Sequence, residues 1–312
     1  MIYFKHFLKI IKFIIQDPFF SIKDFLADIK KDYFTKKLSK KNNPKIIWCA
    51  GLPKSGTTLI EEIFDNLPYV RANTSMLRFY YHNPIQFDYQ KKNLSEHDYH
   101  GITENNFKYL PKNKLTFFKT HTHFEKKYFD IAERYDAKII ISVRDLRDMM
   151  ISRYFHIYKE KKNQDHEQIK DLSFEDGFIK SLGIMKNRTM KPVVYYYNWI
   201  IEWKKFSEDK KILLLWYENY IHNPHFYIEQ ILKYLNVDNN LSNQIQNSLE
   251  SSRKNFSNDL SKNLNHVGKR ISTFRTGKSY NWKKYFNKKI EDSFTSMLPG
   301  PLDLVTYKEN EK

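Results

Sequence analysis

The sequence predicts an α/β protein, a single domain around a central, mainly parallel sheet flanked by helices. Three observations predict it. Four short apolar runs are spaced along the chain with stretches of helical period between them. Each run ends in residues able to bind an anion or move a proton. The Ile-rich run Lys138–Val143 shows no polar alternation, as a strand covered on both faces requires.

In chain order, Ile46–Ala50 is the first strand. It follows a Lys/Asn/Pro-rich stretch and leads into Gly51-Leu52-Pro53-Lys54-Ser55-Gly56, after which Leu59, Ile60, Ile63 and Phe64 recur with helical period. The pattern is strand, loop, helix. Leu115–Phe118 is the second strand and ends in Lys119-Thr120-His121. Lys138–Val143 is the third and feeds Arg144-Asp145-Leu146-Arg147-Asp148 and a helix to Tyr158. Val193–Phe206 is aromatic and helical in period, Ile212–Trp216 is the fourth strand before Tyr217-Glu218, and helices follow over Pro224–Leu235 and Leu241–Ser251. Residues 159–190 and 253–280 read as long polar loops, suited to lids or acceptor-binding segments. Ligands of such folds collect at the carboxyl ends of the strands, where these motifs fall.

At 312 residues, with 41% apolar and 16% aromatic content, the chain can bury a sizeable core. Its net charge of +17, from 53 Lys+Arg against 36 Asp+Glu, makes anions the expected partners. Lysine is abundant alongside Asn, Ile, Tyr and Phe throughout, a pattern that coding bias alone produces, so the bulk charge does not specify nucleic acid and the motifs must carry specificity. Cys49 is the only cysteine, which rules out an internal disulfide and a cysteine-based metal site. No third ligand stands at metal spacing beside His121 and His123, and no metal is expected.

Residues 1–15 place Lys5, Lys9 and Lys12 on one helical face and Phe4, Leu8, Ile11 and Ile15 on another. The lysines interrupt the apolar run short of a membrane span, and no small-residue cleavage site follows. The expected location is therefore cytoplasmic. The segment reads either as a helix packed on the domain or as a peripheral contact with an anionic membrane surface.

Gly51-Leu52-Pro53-Lys54-Ser55-Gly56-Thr57-Thr58 offers backbone N–H groups at a helix N-terminus for a phosphate or sulfate. In an ATP-binding P-loop a lysine directly follows the second glycine. Thr57 holds that place here and Lys54 sits inside the loop, and the sequence offers no strong metal-holding carboxylate. A P-loop phosphotransferase or kinase is the alternative this disfavours. A non-catalytic binder of acidic polymer or membrane is a second alternative, resting on bulk charge and residues 1–15 alone.

Pro53-Lys54-Ser55-Gly56-Thr57-Thr58 resembles the 5′-phosphosulfate loop of sulfotransferases that use 3′-phosphoadenosine-5′-phosphosulfate (PAPS). Val143-Arg144-Asp145 through Ser152-Arg153-Tyr154 resembles that family's 3′-phosphate strand and helix. Trp216-Tyr217-Glu218 resembles its Tyr-Glu element, and Phe274-Arg275-Thr276-Gly277 with Asn281-Trp282 its C-terminal nucleotide loop. The four occur in the family's order over roughly residues 45–290. Two departures stand out: Leu59 where members acting on small molecules usually carry Trp, and Thr276 where Arg-Lys-Gly is usual.

The resemblance implies a P-loop-like nucleotide core, with a helical extension over residues 1–44, a sulfotransferase domain over 45–300 and a polar tail over 301–312. It implies transfer of a sulfuryl group from PAPS to a hydroxyl or amine acceptor, leaving adenosine 3′,5′-bisphosphate, without a metal. Lys54, Ser55, Gly56, Thr57 and Thr58 would hold the 5′-phosphosulfate, with Lys54 on the bridging oxygen as charge builds there. Arg144 and Ser152 would hold the 3′-phosphate, Arg275 and Gly277 would close over it, and Tyr217 would reach the adenine edge. His121, in the family's Lys-Thr-His place, would be the base, with Lys119 adding positive charge beside the transferring group. His123 and Glu62 are the rivals of His121.

Overall fold

The apolar runs become strands because buried strands satisfy every backbone N–H and C=O while surrendering both faces to the core. The computed structural model of the chain describes residues 46–67, 70–72, 104, 107, 115–159, 161, 165–183, 191–208, 212–237, 240–262 and 279–308. Strand β1 (Ile46–Gly51) is buried at all six positions. Strands β2 (Val70–Ala72), β3 (Leu115–Thr120), β4 (Lys138–Val143) and β5 (Ile212–Trp216) join it in one sheet of order β2-β3-β1-β4-β5. Both β1 and β2 pair parallel to β3, with Ile46 opposite Thr116 and Ala50 opposite Thr120. The chain is thus the expected α/β domain on a parallel sheet. Because β3 and β4 flank β1 on opposite sides, the loop after β1 leaves the sheet where strand order reverses, the place such folds use for ligands.

The helices are α1 (Thr57–Asp65), α2 (Lys126–Arg134), α3 (Leu146–Lys159), α4 (Phe174–Leu182), α5 (Val193–Phe206), α6 (Tyr217–His222), α7 (Pro224–Tyr234), α8 (Leu241–Lys262) and α9 (Lys288–Ser296). The chain gathers into two compact units. One comprises residues up to Ala50, Thr57–Ile140 and Glu229–Ile245, and the other Gly51–Gly56, Ile141–Ile228 and the residues from Gln246 onward.

In the first unit α1 buries Leu59, Ile60, Ile63 and Phe64, and the Phe64 ring stacks on Phe117 of β3 at 4.3 Å. The hydroxyl of Tyr234, at the end of α7, accepts from the Ile139 N–H and donates to the Ile139 carbonyl, each at 3.1 Å.

In the second unit the stretch 159–190, expected as loop, contains α4. Its Ser173 cap accepts from the Asp176 N–H at 3.1 Å, and Phe178 and Leu182 are fully buried one turn apart. Nine residues between polar flanks give too short a periodic signal to stand out in sequence. Helix α8 likewise runs past Ser251 to Lys262, into the second expected loop, since no Gly or Pro interrupts that polar stretch. The turn Leu302–Val305 packs in this unit, with Val305 and Tyr307 buried. Residues 1–15, Arg275 and Gly277 lie outside the described residues.

Candidate active site

The phosphate loop is a strained turn tied at one residue. Ser55 donates from both its N–H (3.1 Å) and its hydroxyl (2.7 Å) to the Leu52 carbonyl. Its own carbonyl accepts from the Ser142 hydroxyl at 2.8 Å. Between these ties Lys54 takes a φ of 74° and Gly56 one of 99°. A lysine in the left-handed region costs about 1–3 kcal/mol and persists only where its surroundings impose it. Gly56 is required by both backbone and space, since a Cβ there would stand 2.6 Å from Cδ2 of Tyr217.

Arg144, just beyond β4, is built onto this loop. It is 8% exposed, its Nη1 donates to the Lys54 carbonyl at 3.3 Å, and its guanidinium lies over the Tyr217 ring at 4.7 Å. Two fully buried carboxylates flank it: Asp148 Oδ2 at 3.8 Å from Nη2 and Glu218 Oε1 at 3.9 Å from Nε. Glu218 Oε1 also accepts the Asp145 N–H at 3.2 Å, while its Oε2 is buried without a hydrogen-bond partner among the described residues. Burial pushes the Glu218 carboxyl from 4.5 up to about 8, against the pull of Arg144. Ser152 is buried on α3, the helix that follows Arg144.

The neighbouring charges build the frame. Asp145 receives the Arg147 guanidinium at 2.9 and 2.6 Å, and that guanidinium lies 3.7 Å above the Trp282 ring. Asp148 accepts the Trp282 N–H at 2.8 Å. Arg153 is buried, donating to the Lys191 carbonyl at 3.0 Å and stacking on Tyr196.

In the other unit the end of β3 carries a second set of groups. Lys119 forms an ion pair with Glu61 of α1. Cys49, opposite Lys119 in the sheet register, lies beneath, and burial pushes its thiol up to about 12. The Thr120 hydroxyl receives Trp48 Nε1 at 2.8 Å and the Thr122 hydroxyl at 2.7 Å. His121 follows, half-buried. His123 Nε2 lies 2.5 Å from Glu125, which also pairs with Lys127 at 2.5 Å and accepts from the Tyr128 hydroxyl at 3.2 Å. Burial alone would raise the Glu125 carboxyl, but hydrogen bonds from Lys127 and His123 hold it below its ordinary value.

The family model for the sulfotransferase domain matches residues 44–299. The chain belongs to the sulfotransferase family. No curated protein sequence matches this sulfotransferase at a significant level. Its fold is similar to that of mouse sulfotransferase SULT7A1 complexed with PAP, at 18% identity and a TM-score of 0.54, covering 86% of this chain and 88% of that one. It is also similar to retinol dehydratase in complex with androsterone and inactive cofactor PAP, at 19% identity and a TM-score of 0.53, covering 83% and 81%. At such identities the likeness is one of fold.

Of the residues singled out in the sequence, Lys54, Ser55, Gly56, Arg144 and Tyr217 of this sulfotransferase form one connected set. Thr57 and Thr58 open α1 directly after the loop. Lys119 and His121 follow one another at the end of β3. Glu61 was not singled out in the sequence, and Asp148 and Glu218 were named there without a role in the site. Glu61 shares a face of α1 with Thr57, so helical spacing could have flagged it. Lys119 meets Glu61 rather than the Glu62 considered as a base.

Proposed function

We propose that this sulfotransferase uses PAPS as donor and a hydroxyl or amine as acceptor, releasing adenosine 3′,5′-bisphosphate. The observation that carries the reading is the junction of Arg144 with the Lys54 carbonyl and the Tyr217 ring, which joins the two motifs expected to take the nucleotide's two phosphates. The fit is physical. The Lys54–Gly56 turn leads into a helix N-terminus and is closed on one side by the Tyr217 ring, and Arg144 is a nearly buried cation beside it. The PAP named with both solved structures of like fold adds to the support.

In this reading Lys54 and the N–H groups of Gly56–Thr58 hold the 5′-phosphosulfate, the Ser55 N–H and hydroxyl being given to the Leu52 carbonyl that shapes the turn, and Arg144 with Ser152 holds the 3′-phosphate. Arg275 and Gly277 complete that end. The acceptor oxygen or nitrogen bonds to sulfur as the bond from sulfur to the bridging phosphate oxygen breaks, and His121 takes the acceptor's proton. Lys54 stabilises the charge that appears on the departing oxygen. Lys119 contributes positive charge beside the transferring group. His121 is preferred to His123 because it holds the histidine place of the Lys119-Thr120-His121 element at the end of β3. The hydroxyl-bearing androsterone named with one solved relative makes alcohols the first acceptors to try. We assign the protein to the cytoplasm, with residues 1–15 serving either as a helix packed on the domain or as a peripheral contact for anionic membrane.

The test is release of adenosine 3′,5′-bisphosphate from PAPS in the presence of panels of alcohols and amines. Acceptor-dependent release is expected with at least one panel; release independent of every acceptor would contradict the assignment.

A further inference from the structure

The C-terminal residues beyond the matched 44–299 family region reach back to the turn that carries Arg144. Their path is anchored at every step. Gly300 is pressed against the Tyr197 hydroxyl, which donates to the Pro301 carbonyl at 3.2 Å. Lys204 Nζ donates to the Leu304 carbonyl at 3.2 Å, and Val305 is fully buried. The Tyr307 ring stacks on His222 with centroids 5.8 Å apart and meets Trp216 at 6.0 Å. This brings the Tyr307 N–H to Asp145 Oδ2, to which it donates at 3.3 Å.

Asp145 is the residue after Arg144. Its side chain is shared between the Tyr307 N–H and the Arg147 guanidinium, and its own N–H is held by Glu218, whose carboxylate also flanks Arg144. Both ends of Asp145 are therefore fixed, one by β5's neighbour α6 and one by the C-terminal segment. An arginine can form a forked contact with a phosphate only if its backbone holds the fork in place.

We propose that residues 302–307 act as a strap that positions Arg144 for the 3′-phosphate, with Tyr307 as its positioning residue. The inference rests on the nucleotide reading above. It makes discrimination between nucleotides with and without a 3′-phosphate depend on a segment outside the family's matched region.

The experiment compares binding of adenosine 3′,5′-bisphosphate and adenosine 5′-monophosphate by calorimetry to the full chain, Tyr307→Ala, Tyr307→Phe and His222→Ala. Thermal unfolding verifies that each variant is folded. Tyr307→Ala should weaken the bisphosphate about tenfold and the monophosphate less than about twofold, a tenfold change being the scale of one charged hydrogen bond. Tyr307→Phe, which keeps the ring and the N–H, should restore the wild-type ratio. If Tyr307→Ala does not fold, His222→Ala removes only the exposed stacking partner and should shift the ratio in the same direction. An unchanged ratio, or equal loss for both nucleotides, would overturn the strap. A wild-type protein that does not distinguish the two nucleotides would instead overturn the role given to Arg144.

Discussion

A Cβ added to Gly56 would stand 2.6 Å from Cδ2 of Tyr217, so the phosphate loop and the Tyr-Glu element approach within the space of one methyl group. Gly56→Ala should therefore do two kinds of damage. The φ of 99° becomes strained and the ring must move, together costing about 1–3 kcal/mol. Since the Arg144 guanidinium rests on that same ring, nucleotide affinity should fall by about tenfold or more. Calorimetry and thermal unfolding check this; an unchanged affinity would show that the loop and Tyr217 do not act together.

The Lys119–Glu61 pair allows a structural effect to be separated from a catalytic one. Lys119→Met leaves a largely buried Glu61 without its cation and should destabilise the protein by about 1–2 kcal/mol while lowering turnover. Adding Glu61→Gln should recover most of the stability but none of the turnover. Recovery of both in the double variant would mean that Lys119 serves only to neutralise Glu61.

Glu218 predicts how stability varies with pH. Its carboxyl is raised from 4.5 to about 8 in the folded protein, so between those values the unfolded chain has given up a proton that the folded one keeps. Folding stability from this group is full below pH 4.5 and is lost as pH rises toward about 8. Glu218→Gln, which keeps an acceptor for the Asp145 N–H, should flatten that part of the melting-temperature profile. An identical slope in the variant would place the titration elsewhere.

His121 and Arg144 should fail in opposite ways. His121→Ala is expected to lower turnover about 10²–10⁴-fold and leave bisphosphate affinity within about threefold. Arg144→Ala should weaken the nucleotide first, because a phosphate loses its charged partner. If His121→Ala keeps its activity and His123→Ala does not, the base is His123, acting with Glu125.

Strands β4 and β5 were legible because largely buried strands leave unbroken apolar runs, and Lys138–Val143 and Ile212–Trp216 form over the expected residues. Helix α5 is equally plain because its aromatic residues repeat with the turn. What escaped were elements whose signal is short: the three residues of β2, and α2 and α4 with nine each. The site divides in the same way. Lys54 and Arg144 sit in motifs that can be read along the chain, but their adjacency, through one carbonyl 90 residues away, exists only in the fold. Glu218 likewise meets the Asp145 N–H 73 residues earlier in the chain, and no local pattern encodes that contact.

The most direct measurement is calorimetric binding of adenosine 3′,5′-bisphosphate to the metal-free protein in the presence of a chelator, with thermal unfolding in parallel. The groups assigned to the two phosphates are backbone amides, Lys54, Arg144 and Ser152, so tight binding without metal is expected. At about 100 times Kd the nucleotide should stabilise the fold by roughly 2.7 kcal/mol. Binding abolished by the chelator, or a larger shift from ATP with magnesium, would contradict the assignment of PAPS as donor.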